Sequence, residues 1–118
     1  FDPIEKPGFF NFIFSLSLHE KQTMQDITDL SNFFKSLSDP TRLKIVKYLA
    51  HTNNPRCVSK ISQHINVSQS ATSQHLRILR QSNLVKSDRR GYHIHYELNS
   101  EQVEKYINQL QDLFKAGQ

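Results

Sequence analysis

The sequence predicts a mainly helical domain that carries one small β-hairpin. Apolar residues recur at helical spacing in five successive stretches, whereas the alternation and turn residues typical of paired strands occur around Gly91. A length of 118 residues with 36% apolar residues suits a single domain with a modest core. A chain of this size often gains further stability by dimerising.

Two helices are predicted to open the domain. The first has an apolar stripe formed by Ile27, Leu30, Phe33, Phe34 and Leu37. Asp39 then interrupts the pattern and is a good N-cap for a second helix, in which Pro40 suits the first position. The second stripe comprises Leu43, Ile45, Val46 and Leu49, and its helix should end before Asn53-Asn54-Pro55.

Residues 57–84 have the pattern of a helix-turn-helix. One apolar seam crosses two short predicted helices and comprises Val58, Ile61, Ile65, Thr72, Leu76 and Leu79. Asn66-Val67-Ser68 interrupts the period between the helices, and the Ser68 hydroxyl can cap the second one.

Outside the seam, the second of these helices presents a face of hydrogen-bonding side chains, namely Gln69, Ser70, Ser73, Gln74 and Arg77. An ordinary solvated face would show the same period but usually holds Glu and Lys. Because amides and hydroxyls pair with base edges in a DNA major groove, the composition favours a DNA-reading helix.

The remaining residues predict a hairpin and a last helix. Leu84-Val85-Lys86 and Tyr92 to Leu98 are expected to be strands, with a turn at Asp88-Arg89-Arg90-Gly91 whose arginines can reach a phosphate or the minor groove. Asn99 or Ser100 should cap the helix. Its stripe comprises Val103, Tyr106, Ile107, Leu110, Leu113 and Phe114. The partner of that stripe could be the first helix, a second copy of the chain, or both.

Residues 1–23 differ from the domain that we assign to residues 24–118. They form an apolar, aromatic-rich segment, and the only methionine is Met24. We interpret the segment as an N-terminal extension or an artificial remnant that supports a dimer or a crystal contact. The alternation of Phe12, Phe14, Leu16 and Leu18 fits a strand equally well.

The charge distribution favours a polyanionic partner. The net charge is +4 and the pI is about 9.3. Residues 68–98 contain only two acids against Arg77, Arg80, Lys86, Arg89 and Arg90. The single cysteine, Cys57, fits a reducing compartment, so we expect a cytoplasmic protein. No stretch is long and apolar enough to span a bilayer, and no membrane partner is expected.

Three motifs stand in a characteristic order: Ser38-Asp39-Pro40-Thr41-Arg42-Leu43, Ser68 to Leu76, and Gly91 to Leu98. Together with the order of the predicted elements, they resemble the ArsR/SmtB family of winged-helix transcriptional repressors over residues 27–114. The resemblance implies a winged helix-turn-helix, a homodimer formed through the first and last helices, and an inverted-repeat operator that is released when an effector binds. It also implies that Gln69, Ser70, Ser73 and Gln74 occupy the base-reading positions.

Base and phosphate contacts follow as hypotheses. Gln69 and Gln74 can pair with adenine, Ser70 and Ser73 can bond to either base type, and the methyl of Ala71 or Thr72 can meet a thymine methyl. An A/T-leaning half-site is therefore expected. Phosphate contacts are assigned to Arg77, Arg89 and Arg90.

No metal or other cofactor is expected. The metal motif of the family's third helix corresponds to Cys57-Val58-Ser59-Lys60, where Lys60 would repel a cation. The site on the last helix corresponds to the poor ligands Ser100, Gln102, Leu113 and Ala116. His93 and His95 lie on one strand face and could share an ion, although His and aromatic residues are common there in the family. Cys57 is interpreted as a small buried residue, with thiol oxidation as the minor alternative, and the effector is unknown.

The leading interpretation is a dimeric repressor that binds double-stranded DNA sequence-specifically. The alternative is a non-specific nucleic-acid-binding or protein-interaction module that keeps the fold and binds all duplexes equally. An enzyme that uses His93, His95 or Cys57 has little support, because no phosphate-cradling glycine loop or positioned base accompanies them.

Overall fold

The computed structural model describes residues 14–115. Five helices lie wholly within this range: α1 (Leu18–Leu37), α2 (Pro40–Ala50), α3 (Val58–Ile65), α4 (Gln69–Gln81) and α5 (Ser100–Leu113). The strands are β1 (Arg56–Cys57), β2 (Val85–Arg90) and β3 (His93–Leu98), which form an antiparallel sheet in the order β1-β3-β2. None of the described helices combines the length and the apolar character that crossing a membrane requires.

The predicted helix caps are confirmed where the chain enters α2, α4 and α5. The Asp39 carboxylate accepts hydrogen bonds from the backbone N–H groups of Thr41 (2.8 Å) and Arg42 (3.1 Å). These bonds, that from Arg42 above all, hold the pKa of Asp39 below its usual value. Ser68 Oγ accepts from Ala71 N at 3.1 Å, and Asn99 Oδ1 accepts from Gln102 N at 3.4 Å.

Helix α1 begins nine residues before Ile27, where its predicted stripe starts. Ser17 and Glu20 form a capping box, in which each side chain accepts a hydrogen bond from the backbone N–H of the other residue. Phe14 and Ser15 are also helical, so a strand through Phe14 to Leu18 is wrong. The rest of that predicted strand, Phe12, lies outside the described residues, as do residues 1–13 generally.

The hairpin turns later than the sequence predicts. Val85 pairs with Leu98 and Arg90 pairs with His93, so Gly91 and Tyr92 form the loop. The predicted turn at residues 88–91 is therefore wrong, because Asp88, Arg89 and Arg90 continue β2. Gly91 has φ +64°, a left-handed conformation that glycine adopts without strain. Strand β1 was not predicted, since two residues are too few to show a period.

The core lies between the helix-turn-helix, the sheet, and helices α1, α2 and α5. It comprises Leu30, Ile45, Leu49, Ile61, Ile65, Leu76, Leu79, Leu84, Val85 and Tyr106. Helix α5 packs on α1 of the same chain, where the rings of Phe33 and Tyr106 stack with centroids 4.5 Å apart. Tyr106 Oη also donates to Ser82 O at 3.0 Å, and burial raises the pKa of this phenol.

Candidate nucleic-acid interface

Helix α4 is held against α3 by the predicted seam. Ile61, Leu76 and Leu79 are almost completely buried between the two helices and their neighbours. Asn66 reverses the chain after α3 in the left-handed conformation (φ 58°, ψ 49°), which asparagine tolerates better than most residues. The seam therefore fixes which side of α4 faces solvent.

The exposed side of α4 is the polar face that helical spacing in the sequence predicts. Gln69, Ser70, Ser73, Gln74 and Arg77 are all exposed. Their side chains make no hydrogen bond to another group in residues 14–115, so each retains its donors and acceptors for an outside partner. An amide, hydroxyl and guanidinium surface of this kind matches the edges of base pairs and the phosphates beside them.

Thr72 is not part of this face. It is 0% exposed, and its Oγ1 donates to Ser68 O at 2.8 Å. The predicted contact between the Thr72 methyl and a thymine is therefore wrong, because that methyl is buried in the core. Ala71 is half-buried and keeps part of its surface accessible.

The hairpin is attached to the end of α4. Leu84 N donates to Leu79 O at 3.0 Å, and β2 contacts α4 directly. Arg89 and Arg90 are exposed at the far end of β2, beside a Tyr92 side chain that is 100% exposed. Arg90 Nε lies 3.5 Å from Asp88 Oδ2, but a solvent-exposed pair of this kind contributes little and leaves the guanidinium available.

The cationic excess extends well upstream of residue 68. Residues 40–87 contain no Asp or Glu, and their eight cations are Arg42, Lys44, Lys47, Arg56, Lys60, Arg77, Arg80 and Lys86. The remaining residues contain seven Lys or Arg and eleven Asp or Glu. The helix-turn-helix and the helix before it thus form a basic unit within a chain that is otherwise acidic, as a polyanion-binding surface requires.

The candidate metal ligands do not assemble into a cluster. Within residues 14–115, no group of three or more His, Cys, Asp or Glu side chains could hold a metal ion. Cys57 is half-buried in β1, where it pairs with His95 of β3, and His93 is exposed two residues earlier. Ser100, Gln102 and Leu113 lie on α5, and Ala116 lies beyond the described range.

A second surface of interest is apolar and is formed by α1 and α5. Its residues are between 45% and 78% exposed and comprise Ile27, Phe34, Ile107, Leu113 and Phe114. A shallow cavity between the two helices is lined by Ile27, Leu30, Phe34 and Leu113. Apolar side chains grouped in this way usually mark a surface that another molecule covers.

Comparison with known proteins finds a matching family model and similar sequences. Residues 39–87 match the family model described as bacterial regulatory protein, arsR family. The chain is 34% identical over 88 residues to the transcriptional repressor SdpR of Bacillus subtilis (strain 168), covering 75% of this chain and 96% of SdpR. It is 33% identical over 93 residues to the transcriptional repressor SmtB homolog of Synechocystis sp. (strain ATCC 27184 / PCC 6803 / Kazusa), covering 79% of this chain and 69% of that protein.

Solved structures agree with these sequence matches. An ArsR-like transcriptional regulator from Rhodococcus sp. RHA1 superposes with a TM-score of 0.66 and 28% identity, covering 74% of this chain and 80% of that one. The element order, the winged helix-turn-helix and the sequence matches lead to one assignment. This chain belongs to the ArsR/SmtB family of winged helix-turn-helix transcriptional regulators.

Proposed function

We propose that this DNA-binding regulator is a homodimeric repressor that reads an inverted-repeat operator through α4 and is released by an effector. The observation that supports sequence-specific binding above all others is the exposed face of α4. Its side chains offer free amide and hydroxyl groups, and the surrounding residues 40–87 contain no carboxylate. Such a face binds base edges without repelling the phosphates beside them.

Within this proposal, Gln69 and Gln74 pair with adenine edges, and Ser70 and Ser73 bond to either kind of base. Their exposure on one side of α4 lets a single helix present all four side chains to one major groove. Ala71 remains the candidate for contact with a thymine methyl, since Thr72 is buried. The half-site should therefore lean towards A/T.

Phosphate contacts are assigned to Arg77, Arg89 and Arg90. Arg77 lies on the exposed side of α4, one turn after Ser73, where it can reach the backbone beside the groove. The two hairpin arginines lie beside the Gly91-Tyr92 loop and can reach the flanking backbone or the minor groove.

The homodimer is supported by the apolar surface on α1 and α5. Since α5 already packs on α1 within one chain, the side chains that stay exposed need a second partner. A second copy that presents the same surface would cover them with two-fold symmetry. Two copies related in this way present two α4 helices to successive major grooves, and an inverted repeat has the same symmetry.

No cofactor is assigned, and the effector is unidentified. Cys57 is retained as a candidate thiol for redox control, because it lies at the junction of β1 and α3 and oxidation there would disturb the start of the helix-turn-helix.

Selection from a random duplex DNA pool at near-physiological salt, with no metal added, tests the proposal. The expected result is an enriched inverted repeat whose half-site centres are about one helical turn apart. Gln74→Ala should relax the preference at one position, whereas Gln111→Ala, an exposed amide on α5, should leave the selected sequence unchanged. Salt-sensitive binding without enrichment would contradict the proposal and favour a non-specific nucleic-acid-binding module.

A further inference from the structure

Arg42 connects three helices through one side chain. It lies on α2, its Nε donates to Ser36 O in the last turn of α1 at 2.6 Å, and its Nη1 lies 3.4 Å from Nδ1 of His75 on α4. Nη2 also approaches Lys35 O at 3.5 Å. The contact between Arg42 and His75 joins residues 33 positions apart, so it belongs to the tertiary structure.

The chemistry of the two side chains makes this contact directional. A guanidinium has only donors, so a hydrogen bond between these two side chains has Arg42 Nη1 as the donor and His75 Nδ1 as the acceptor. The Asp39 carboxylate accepts the backbone N–H of Arg42, which holds the start of α2, and so the Arg42 backbone, in place. The guanidinium is planar, so binding Ser36 O through Nε leaves Nη1 little freedom of direction.

Ser36, whose carbonyl Arg42 contacts, lies in the last turn of α1. The carbonyls of the last turn of a helix have no partner within that helix, and they carry its partial negative charge. Arg42 satisfies the carbonyl of Ser36, a residue that is buried. The Arg42 side chain therefore caps the C-terminus of α1 and also contacts His75 in the middle of α4.

We infer that Arg42 and His75 are positioning residues that fix the orientation of α4 relative to α1, and thereby set the half-site spacing that the dimer accepts. The inference rests on the proposed function, because α1 contributes to the proposed dimer surface. The apolar seam holds α4 against α3 by non-directional contacts, whereas the Arg42 link is a directional tie from α4 to a helix of the dimer surface. Loosening that tie should affect the distance between two α4 helices more than the contacts of either helix with its own half-site.

The first test measures affinity for duplexes in which the half-site separation is optimal, or is changed by one or two base pairs. Arg42→Gln and His75→Gln should keep the base preference within each half-site. Their discrimination between the optimal and neighbouring spacings should fall by about fivefold. Simple destabilisation of the fold would weaken all spacings alike, so an unchanged ratio between spacings would overturn the inference.

Arg42→Lys separates geometry from charge. Lysine keeps the positive charge but cannot bond to two partners in fixed directions, so it should behave like Arg42→Gln. Lys44→Gln removes a charge from an exposed position on the same helix and serves as the matched control. Because Lys44 belongs to the basic unit, its loss should weaken binding to all spacings alike and leave the ratio between spacings unchanged.

The second test needs no DNA. Cys57→Ser with Gln81→Cys allows one spin label at the exposed end of each α4, and the dipolar distance distribution between two copies is then measured. The distance distribution should broaden with either Arg42→Gln or His75→Gln. The variant that carries both substitutions should show no more broadening than either single variant, and Lys44→Gln should show none. An intact dimer with an unchanged distribution would overturn the inference alone. A chain without any dipolar signal would be monomeric, and the proposed dimer would fail together with the inference.

Discussion

Helices α4 and α5 are built on the same plan but present different faces to solvent. Each buries one stripe in the core, through Leu76 and Leu79 on α4 and through Tyr106 on α5. The exposed side of α4 holds amides, hydroxyls and arginines, whereas α5 exposes Ile107 and Leu113 together with Glu101, Glu104 and Asp112. The buried stripe positions each helix, and the two helices then differ in the chemistry that they offer to a partner.

The largest effect is expected from a charge on the apolar face of α5. Ile107→Asp places a carboxylate where the proposed dimer buries apolar surface, so the dimer should dissociate at micromolar concentration. Loss of the second half-site contact should weaken operator binding by about 100-fold. Analytical ultracentrifugation and a DNA-binding titration measure the two effects.

Leu43→Asp is the matched control for this substitution, because Leu43 is exposed on α2 and lies outside the α1–α5 surface. It should leave the protein dimeric. If the Ile107→Asp variant also remained dimeric, the apolar face of α5 would not be the subunit interface. The exposed face of α5 would then have no assigned partner.

The next largest effect concerns the face of α4. Gln74→Ala should weaken binding to the selected operator by about 1–3 kcal/mol, because one base edge loses a bidentate partner. Binding to random duplex should barely change. Competition titrations with operators substituted at single positions measure both quantities. Equal losses on operator and random DNA would show that Gln74 does not read a base.

Arg77→Gln should have a smaller effect of a different kind. Removing one phosphate contact should weaken binding to all duplexes alike and lower the slope of log affinity against log salt by about 1. The slope is obtained from titrations over a range of salt concentrations, with Lys105→Gln on α5 as the control. A loss confined to the operator sequence would contradict the assignment of Arg77 to phosphate.

The smallest effect on DNA binding is expected at the junction between the two helices. Tyr106→Phe removes the hydrogen bond to Ser82 O and leaves that buried carbonyl without the phenol, so the free energy of unfolding should fall by about 1 kcal/mol. Operator affinity should stay the same. Denaturant unfolding measures the change, and a loss of affinity without a loss of stability would mean that Tyr106 controls α4 more directly.

Much of the fold follows from the sequence because its signals are local. The caps at Asp39 and Ser68 and the five apolar stripes needed only neighbouring residues to be recognised. The start of α1 had a local signal as well, the Ser17–Glu20 spacing of a capping box. The sequence predicts the hairpin turn too early because Asp88 and Gly91 are both typical of turns, whereas cross-strand pairing places Asp88 in β2 and only Gly91 in the loop.

The sequence predicts the candidate site less completely than it predicts the fold, and the reason is physical. The helical period isolated the exposed face of α4 and placed Thr72 in the seam, but it did not exclude a contact between the Thr72 methyl and a base, which the complete burial of Thr72 does. Period and spacing also contain no information on pairs that meet only after folding. The approach of Arg42 to His75 and the pairing of Cys57 with His95 are of this kind.

The separation of charge along the chain has a consequence for the rate at which DNA is found. Residues 40–87 contain eight cations and no carboxylate, while the rest of the sequence has eleven Asp or Glu against seven Lys or Arg, so the charge is unevenly distributed along the chain. In the field of a duplex, the basic unit is attracted and the carboxylates of α5 are repelled, so approaches in which the basic unit leads are favoured. A larger share of collisions is then productive, and the association rate should fall steeply with added salt even where the sequence contacts of the final complex are unaffected.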